Sequence, residues 1–304
     1  MDDGSEGSRC QGMKRPPRGP SHRDAVRTGR ARLPGAEATR ALAALVIFAT
    51  TASLAIPAEP SPTAAARKSE MRVTRHFADG LEYLLVEPRD AAPDAELPMI
   101  VVLHGRGARP EPPTRPYLDL DLPVRVILPR APLRSGDGYA WMPVSAHRGE
   151  SPALRSALDA RAHELAAAMA TWRARHPTRG RPIVTGFSQG GILAATLALT
   201  HPDAIERAFP VAGWVPPSFE PARLDPLARQ APIHALHGAR DDVLGAARTR
   251  SGLARLRAMG LPVVYEEIED AGHEMHPRMT ERLREEIRRA LTELPDTSAP
   301  AGLS

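Results

Sequence analysis

One cysteine, Cys10, is all the chain contains. It stands near the start, so the remaining residues can form neither an intrachain disulfide nor a thiolate metal site. Aromatic residues make up only 4%, and core volume must come mainly from Leu, Val, Ile and Ala. Lysine is nearly missing too. Lys14 and Lys68 stand alone among arginines, and the arginines do not cluster on one face. A long apolar run is also lacking: the stretch from Ala41 to Ile56 falls short of the roughly 20 residues that span a bilayer.

The charge that is present lies in one place. Residues 1–40 hold nine Lys/Arg against five Asp/Glu, which accounts for the whole net charge of +4. The rest of the chain is neutral and has no field with which to attract a phosphate backbone. A nucleic-acid partner is therefore not expected. A hydrophobic share of 42% and a charged share of 25% are ordinary for a globular protein.

Four regions follow. Residues 1–40 read as a disordered basic leader, rich in Arg, Gly and Pro. Residues 41–66 combine a short apolar core with small residues, up to Ala64-Ala65-Ala66. That pattern describes a secretory signal peptide, with cleavage after Ala58 or Ala66. An uncleaved anchor or a buried helix are the competing readings. A cleaved signal implies export to the periplasm or medium and leaves no stable membrane span. Residues 70–294 form the folded domain, and 295–304 a flexible tail.

Within the domain, short apolar runs alternate with helical patterns. Val73–Phe77 and Leu81–Val86 flank Asp79-Gly80, a hairpin signal. Residues 99–103 (MIVVL) and 124–128 (VRVIL) read as buried strands, as do 183–185, 208–211, 233–236 and 263–268. Leu158, Leu165, Met169 and Trp172 share one helix face, and Met279, Leu283, Ile287 and Leu291 recur every four residues. Such alternation implies a largely parallel sheet with helices on both faces.

Gly186-Phe187-Ser188-Gln189-Gly190 fits G-x-S-x-G. The pattern alone is weak, since it arises by chance in roughly one chain in ten of this length. Here the run PIVT precedes it and GGILAATLAL follows. That is the strand–turn–helix setting of an α/β-hydrolase nucleophile, in which a strained serine projects Oγ and glycines let strand and helix pass closely. The bland reading makes Ser188 a helix N-cap. After MIVVL comes His104-Gly105-Arg106-Gly107, where such a fold presents a second oxyanion donor. The backbone N–H groups of Arg106 and Gln189 are the candidate donors, and His104 is expected to order the loop.

An acid is expected in the loop after PIHAL, within His237-Gly238-Ala239-Arg240-Asp241-Asp242. Asp241 and Asp242 compete, and either could instead cap a helix beginning near Leu244. The base should come last in chain order. Gly272-His273 supplies it, with Gly272 permitting a tight turn, whereas His276 runs directly into Pro277 and the final helix.

Several pieces in register carry a family resemblance. LHGRG (103–107), PRAP (129–132), YAW (139–141), GFSQGG (186–191), HGARDDV (237–243) and Gly272-His273 together resemble the phospholipase/carboxylesterase group of α/β-hydrolases, which includes acyl-protein thioesterases. The resemblance runs from about Met99 to Leu291. It implies Ser188 as nucleophile, Asp241 as acid, His273 as base, Arg106 and Gln189 as oxyanion donors, and Trp141 and Met142 bordering an acyl pocket. No cofactor and no metal are expected. The Pro-rich stretch 108–123 departs from the pattern, so the helix expected there must be short or broken, and Ala212 replaces a frequent Ser. The expected chemistry is hydrolysis of a small-molecule carboxylic ester or thioester through an acyl-enzyme, losing activity below about pH 6 because the base is an imidazole. A secreted feruloyl or polyester esterase, a peptidase, or a non-catalytic binding protein on the same fold are the alternatives.

Overall fold

The computed structural model describes residues 70–111, 117, 120–143 and 145–295. The basic leader, the signal-like segment and all of the tail except Pro295 lie outside them. The domain opens with a hairpin of β1 (Met71–Ala78) and β2 (Leu81–Pro88). Its two turn residues, Asp79 and Gly80, have φ of 50° and 77°. Positive φ at both positions is the mirror-image turn whose twist matches paired strands.

Next come β3 (Met99–Leu103), β4 (Arg125–Pro129) and a small antiparallel pair, β5 (Leu133–Ser135) with β6 (Gly138–Ala140). Then follow α1 (Pro152–Arg175), β7 (Ile183–Phe187), α2 (Gln189–Thr200), β8 (Arg207–Val211) and β9 (Ile233–Gly238). The chain ends through α3 (Ala246–Ala258), β10 (Val263–Ile268) and α4 (Pro277–Thr292). The main sheet has the order β1-β2-β4-β3-β7-β8-β9-β10. The pairs β1–β2 and β2–β4 are antiparallel, and every later pair is parallel.

Period-two alternation divides the core. Met99, Val101 and Leu103 of β3 join one apolar cluster with residues of α1, α2 and α3, while Ile100 joins a second with Met279, Leu283, Ile287 and Leu291 of α4. Helices therefore cover both faces, as the alternation of elements implies. The ends of α1 and α4 follow local rules. Ser151 Oγ accepts the N–H of Leu154 at 3.2 Å ahead of Pro152, and His276 accepts from Arg278 ahead of Pro277. Among the described residues of 108–123 there is no α-helix. Leu120 is fully buried there and fills the α4 side of the core.

Strand order fixes where a site can form. From β3 the chain moves to β4 on one side, then returns to β7 on the other. The loops leaving β3 and β7 thus diverge, opening a crevice at the carboxyl ends of the strands.

A buried ion pair braces the sheet at the opposite end of β4. Arg125, 2% exposed, donates Nε–H to Glu87 Oε2 at 2.8 Å and reaches the carbonyls of Ala95 and Pro177. Burial alone would raise the Glu87 carboxyl, but hydrogen bonds from Arg125 and Arg72 hold it below its ordinary value. Its contribution to stability is therefore present above the usual carboxylate range and lost as pH falls through the lowered value. Glu87→Leu leaves the buried guanidinium without its carboxylate and should cost about 3–5 kcal/mol in a urea titration. A loss below about 1 kcal/mol would show that the carbonyls alone satisfy Arg125.

Candidate active site

Ser188 joins β7 to α2 with φ 55° and ψ −115°. An L-residue rarely adopts this backbone, so the surroundings must enforce it. Two glycines make the enforcement possible. A Cβ on Gly186 would lie 2.4 Å from the Gly190 carbonyl oxygen, and one on Gly190 only 2.1 Å from that of Leu103. Strand and helix can approach this closely only without side chains. The Ser188 N–H is fixed to the Val211 carbonyl at 2.9 Å. Its Oγ makes no capping bond to α2, so the N-cap reading does not hold. The hydroxyl instead lies 2.8 Å from His273 Nε2.

His273 follows β10 in the loop that leads to α4. Its Nδ1 lies 2.7 Å from Asp241 Oδ2. Asp241 comes from the loop after β9, and its other oxygen, Oδ1, accepts the N–H groups of Val243 at 2.9 Å and Leu244 at 2.8 Å. Three side chains far apart in sequence thus form one bonded chain. The carboxylate side chain is 0% exposed and the imidazole 15%, so the acid is sealed while the base faces the crevice. Burial by itself would raise the Asp241 carboxyl, yet the Leu244 N–H and the His273 imidazole hold it below the usual carboxylate range. Phe187 packs beside His273, with ring centroids 5.0 Å apart.

The competing residues lie elsewhere. Asp242 is exposed, and His276 caps α4, its Nε2 3.9 Å from Asp270. His104 orders its loop as expected. Its Nδ1 pairs with the Gly105 carbonyl at 2.7 Å, and its Nε2 accepts the Ala131 N–H at 3.1 Å. These partners define a neutral ring with the proton on Nδ1, and burial lowers its pKa in agreement.

Arg106 lies in the loop beside Ser188. A Cβ on the preceding Gly105 would come 3.7 Å from that of Ser188. Gln189 is the first residue of α2, where backbone N–H groups have no intrahelical acceptor. Among the described residues nothing accepts from the backbone N–H of Arg106 or Gln189. The Gln189 side chain is buried, with Oε1 accepting the Trp141 N–H at 2.7 Å and Nε2 donating to the Met142 carbonyl at 3.3 Å. Trp141 also donates its indole N–H to the His104 carbonyl at 2.9 Å. Trp141 and Met142 are 1% and 0% exposed. They stand behind Gln189 within the core.

Two features escaped the sequence reading. The Gln189 side chain ties the segment after β6 to the elbow, a bond that no spacing encodes. His237 also lies against Asp241, its Nε2 2.9 Å from Oδ2; the four-residue spacing of H-G-x-x-D at a strand end is the signal that could have shown it. Elsewhere, His234, Glu266 and Glu286 bring ligand-type atoms within 4.8 Å of one another. Both carboxylates already pair with Arg282, and Glu286 also with Arg289. A hollow of about 510 Å³ at the start of α1, lined by Glu150, Arg155 and Asp159 among others, includes none of the site residues.

A mostly parallel sheet with an elbow serine over its crevice defines an α/β-hydrolase fold. The phospholipase/carboxylesterase family model matches residues 90–291, the greater part of the sequence, and the chain belongs to that family. Its membership makes it a hydrolase of the carboxylesterase/thioesterase type, acting on esters. Solved structures agree in fold. Acyl-protein thioesterase 2 of Zea mays is 23% identical with a TM-score of 0.56, over 69% of this chain and 98% of that one. A carboxylesterase from Mesorhizobium loti is 19% identical with a TM-score of 0.59, over 71% and 98%. The Bacillus cereus carboxylesterase is 16% identical with a TM-score of 0.55, over 69% and 94%.

Proposed function

We propose that this protein is a serine hydrolase that cleaves carboxylic esters or thioesters through an acyl-enzyme. The observation that carries this reading is the unbroken chain from Ser188 Oγ to His273 Nε2 at 2.8 Å and from His273 Nδ1 to Asp241 Oδ2 at 2.7 Å, set on a strained elbow. Ser188 Oγ attacks the acyl carbonyl while its proton passes to His273 Nε2. Asp241 keeps the imidazole in the tautomer with Nδ1–H and stabilises the imidazolium that forms. The backbone N–H groups of Arg106 and Gln189 hold the negative oxygen, a role worth about 3–4 kcal/mol per donor in such sites. The positive end of α2 adds to it. Nε2–H then protonates the departing alcohol or thiol. Water, deprotonated at Nε2, attacks the acyl-enzyme and releases the acid and Ser188.

Trp141 and Met142 back the inner wall of the acyl side from within the core in this reading, tied to the elbow by Gln189. No cofactor or nucleic acid takes part. Acyl p-nitrophenyl esters and thioesters of graded chain length, with a peptide amide series alongside, test the assignment on wild type and Met142→Ala. Hydrolysis of the esters and thioesters with a changed length preference in Met142→Ala is expected. Turnover of peptides alone would overturn the reading, and an unchanged preference would remove Met142 from the wall.

We also propose export, on the signal-like sequence at 41–66. Among the described residues no helix is long and apolar enough to cross a membrane. N-terminal sequencing of the protein recovered outside the cytoplasm should begin after Ala58 or Ala66, and an intact residue 41–66 segment would rule out cleavage.

A further inference from the structure

Asp241 holds more partners than an acid needs in order to orient one base. Oδ1 takes two backbone N–H groups, from Val243 and Leu244. Oδ2 meets His273 Nδ1 at 2.7 Å and also His237 Nε2 at 2.9 Å. His237, the penultimate residue of β9, is 0% exposed. Both ring nitrogens are sealed from water and neither makes an aligned hydrogen bond, Nε2 lying within reach of Oδ2 by distance alone. We propose that His237 is a positioning residue for the acid: it donates Nε2–H to Asp241 Oδ2, so that two imidazoles share one carboxylate oxygen. This rests on the serine-hydrolase reading above.

The direction of that bond follows from what surrounds the ring. Burial lowers the His237 pKa, against the pull of Asp241, and a neutral ring carries one proton. Two acceptors compete for it. One is the Gly213 carbonyl, which already takes the Thr249 hydroxyl at 2.9 Å. The other is a buried ionised carboxylate, and a charge-assisted bond is roughly twice as strong as a neutral one. The proton belongs on Nε2. Other charged groups nearby do not change this. Glu267, the cross-strand neighbour of His237 on β10, is bonded to Arg250 of α3 at 2.7 Å and to the Tyr265 hydroxyl at 2.7 Å. His273 is the remaining titratable neighbour, and it shares the same oxygen.

Once the His237 ring turns Nε2–H onto Oδ2, donors face all four lone-pair directions of Asp241, three of them already filled by Val243, Leu244 and His273. The carboxylate cannot rotate away from His273. Its basicity is also tempered, so the Nδ1 proton stays with the imidazole when the Ser188 proton arrives at Nε2. Removing the donor concentrates charge on Oδ2, which then holds the imidazolium more tightly. That moves the acid limb of activity to higher pH.

The test pairs His237→Leu, which lacks the donor, with His237→Gln, whose side-chain amide can restore it. On a p-nitrophenyl ester, His237→Leu should lower kcat about tenfold or more at nearly constant KM and raise the acid limb. His237→Gln should recover most of both. Equal losses in the two variants with an unmoved limb, or wild-type rates in His237→Leu, would overturn the role. If His237→Leu does not fold, nitrogen NMR on the wild-type protein labelled at histidine decides without it. A neutral ring protonated at Nε2 and unchanged from pH 5 to 9 is expected, and a proton on Nδ1 or titration in that range would overturn it. This reading of the ring does not depend on activity, so it separates from failure of the hydrolase assignment, which appears as full activity in a Ser188 variant.

Discussion

Replacing Ser188 by alanine should lower kcat/KM on a p-nitrophenyl acyl ester by about ten-thousand-fold or more, leaving only what binding and the oxyanion donors supply. The reason is specific to the hydroxyl. Its Oγ is the atom 2.8 Å from His273 Nε2, and no other described hydroxyl is bonded to that ring. Alanine keeps the Cβ and the left-handed backbone, so the elbow remains and the loss cannot be assigned to a collapsed site. Stability should stay within about 1 kcal/mol of wild type, the net value of one hydrogen bond. A rate within tenfold of wild type would remove Ser188 from the chemistry.

Asp241→Asn should cost about a thousandfold or more in kcat, by a different route. The amide oxygen takes over the Val243 and Leu244 N–H groups that now bond Oδ1. The amide nitrogen must then occupy the Oδ2 position, 2.7 Å from His273 Nδ1. An N–H donor there demands a lone pair on Nδ1, which shifts the imidazole proton to Nε2. That proton points at Ser188, and the ring can no longer accept the serine proton. The second amide N–H faces His237, whose proton moves to Nδ1 on the side of the Gly213 carbonyl; the loop backbone is kept, so KM should change far less than kcat. Steady-state kinetics of the purified variant checks this; a loss in KM alone would show that Asp241 serves binding and not the base.

Much of this arrangement was legible in the amino-acid order, for physical reasons. The elbow was readable because β7 and α2 are both nearly continuous apolar runs, so the serine between them could only be a sharp turn. His273 stood out because a glycine precedes it and His276 runs into the Pro that opens α4. Asp241 and Asp242 could not be separated by pattern. Which of them turns inward depends on the loop backbone, where Val243 and Leu244 fold their N–H groups onto Asp241 Oδ1. The β5–β6 pair was missed because each strand has only three residues, too few to show a period of two, and Leu133 of β5 is exposed. His237 was read only as part of a motif. Its four-residue spacing to Asp241 at a strand end was the available signal, but only the loop backbone decides that the ring and the carboxylate meet.

Covalent labelling reads out whether His273 makes Ser188 nucleophilic. One equivalent of a fluorophosphonate, followed by intact mass and peptide mapping, should place a single adduct on the peptide containing Ser188. Labelling of a different residue, or no labelling by a preparation that turns over esters, would remove Ser188 as the nucleophile.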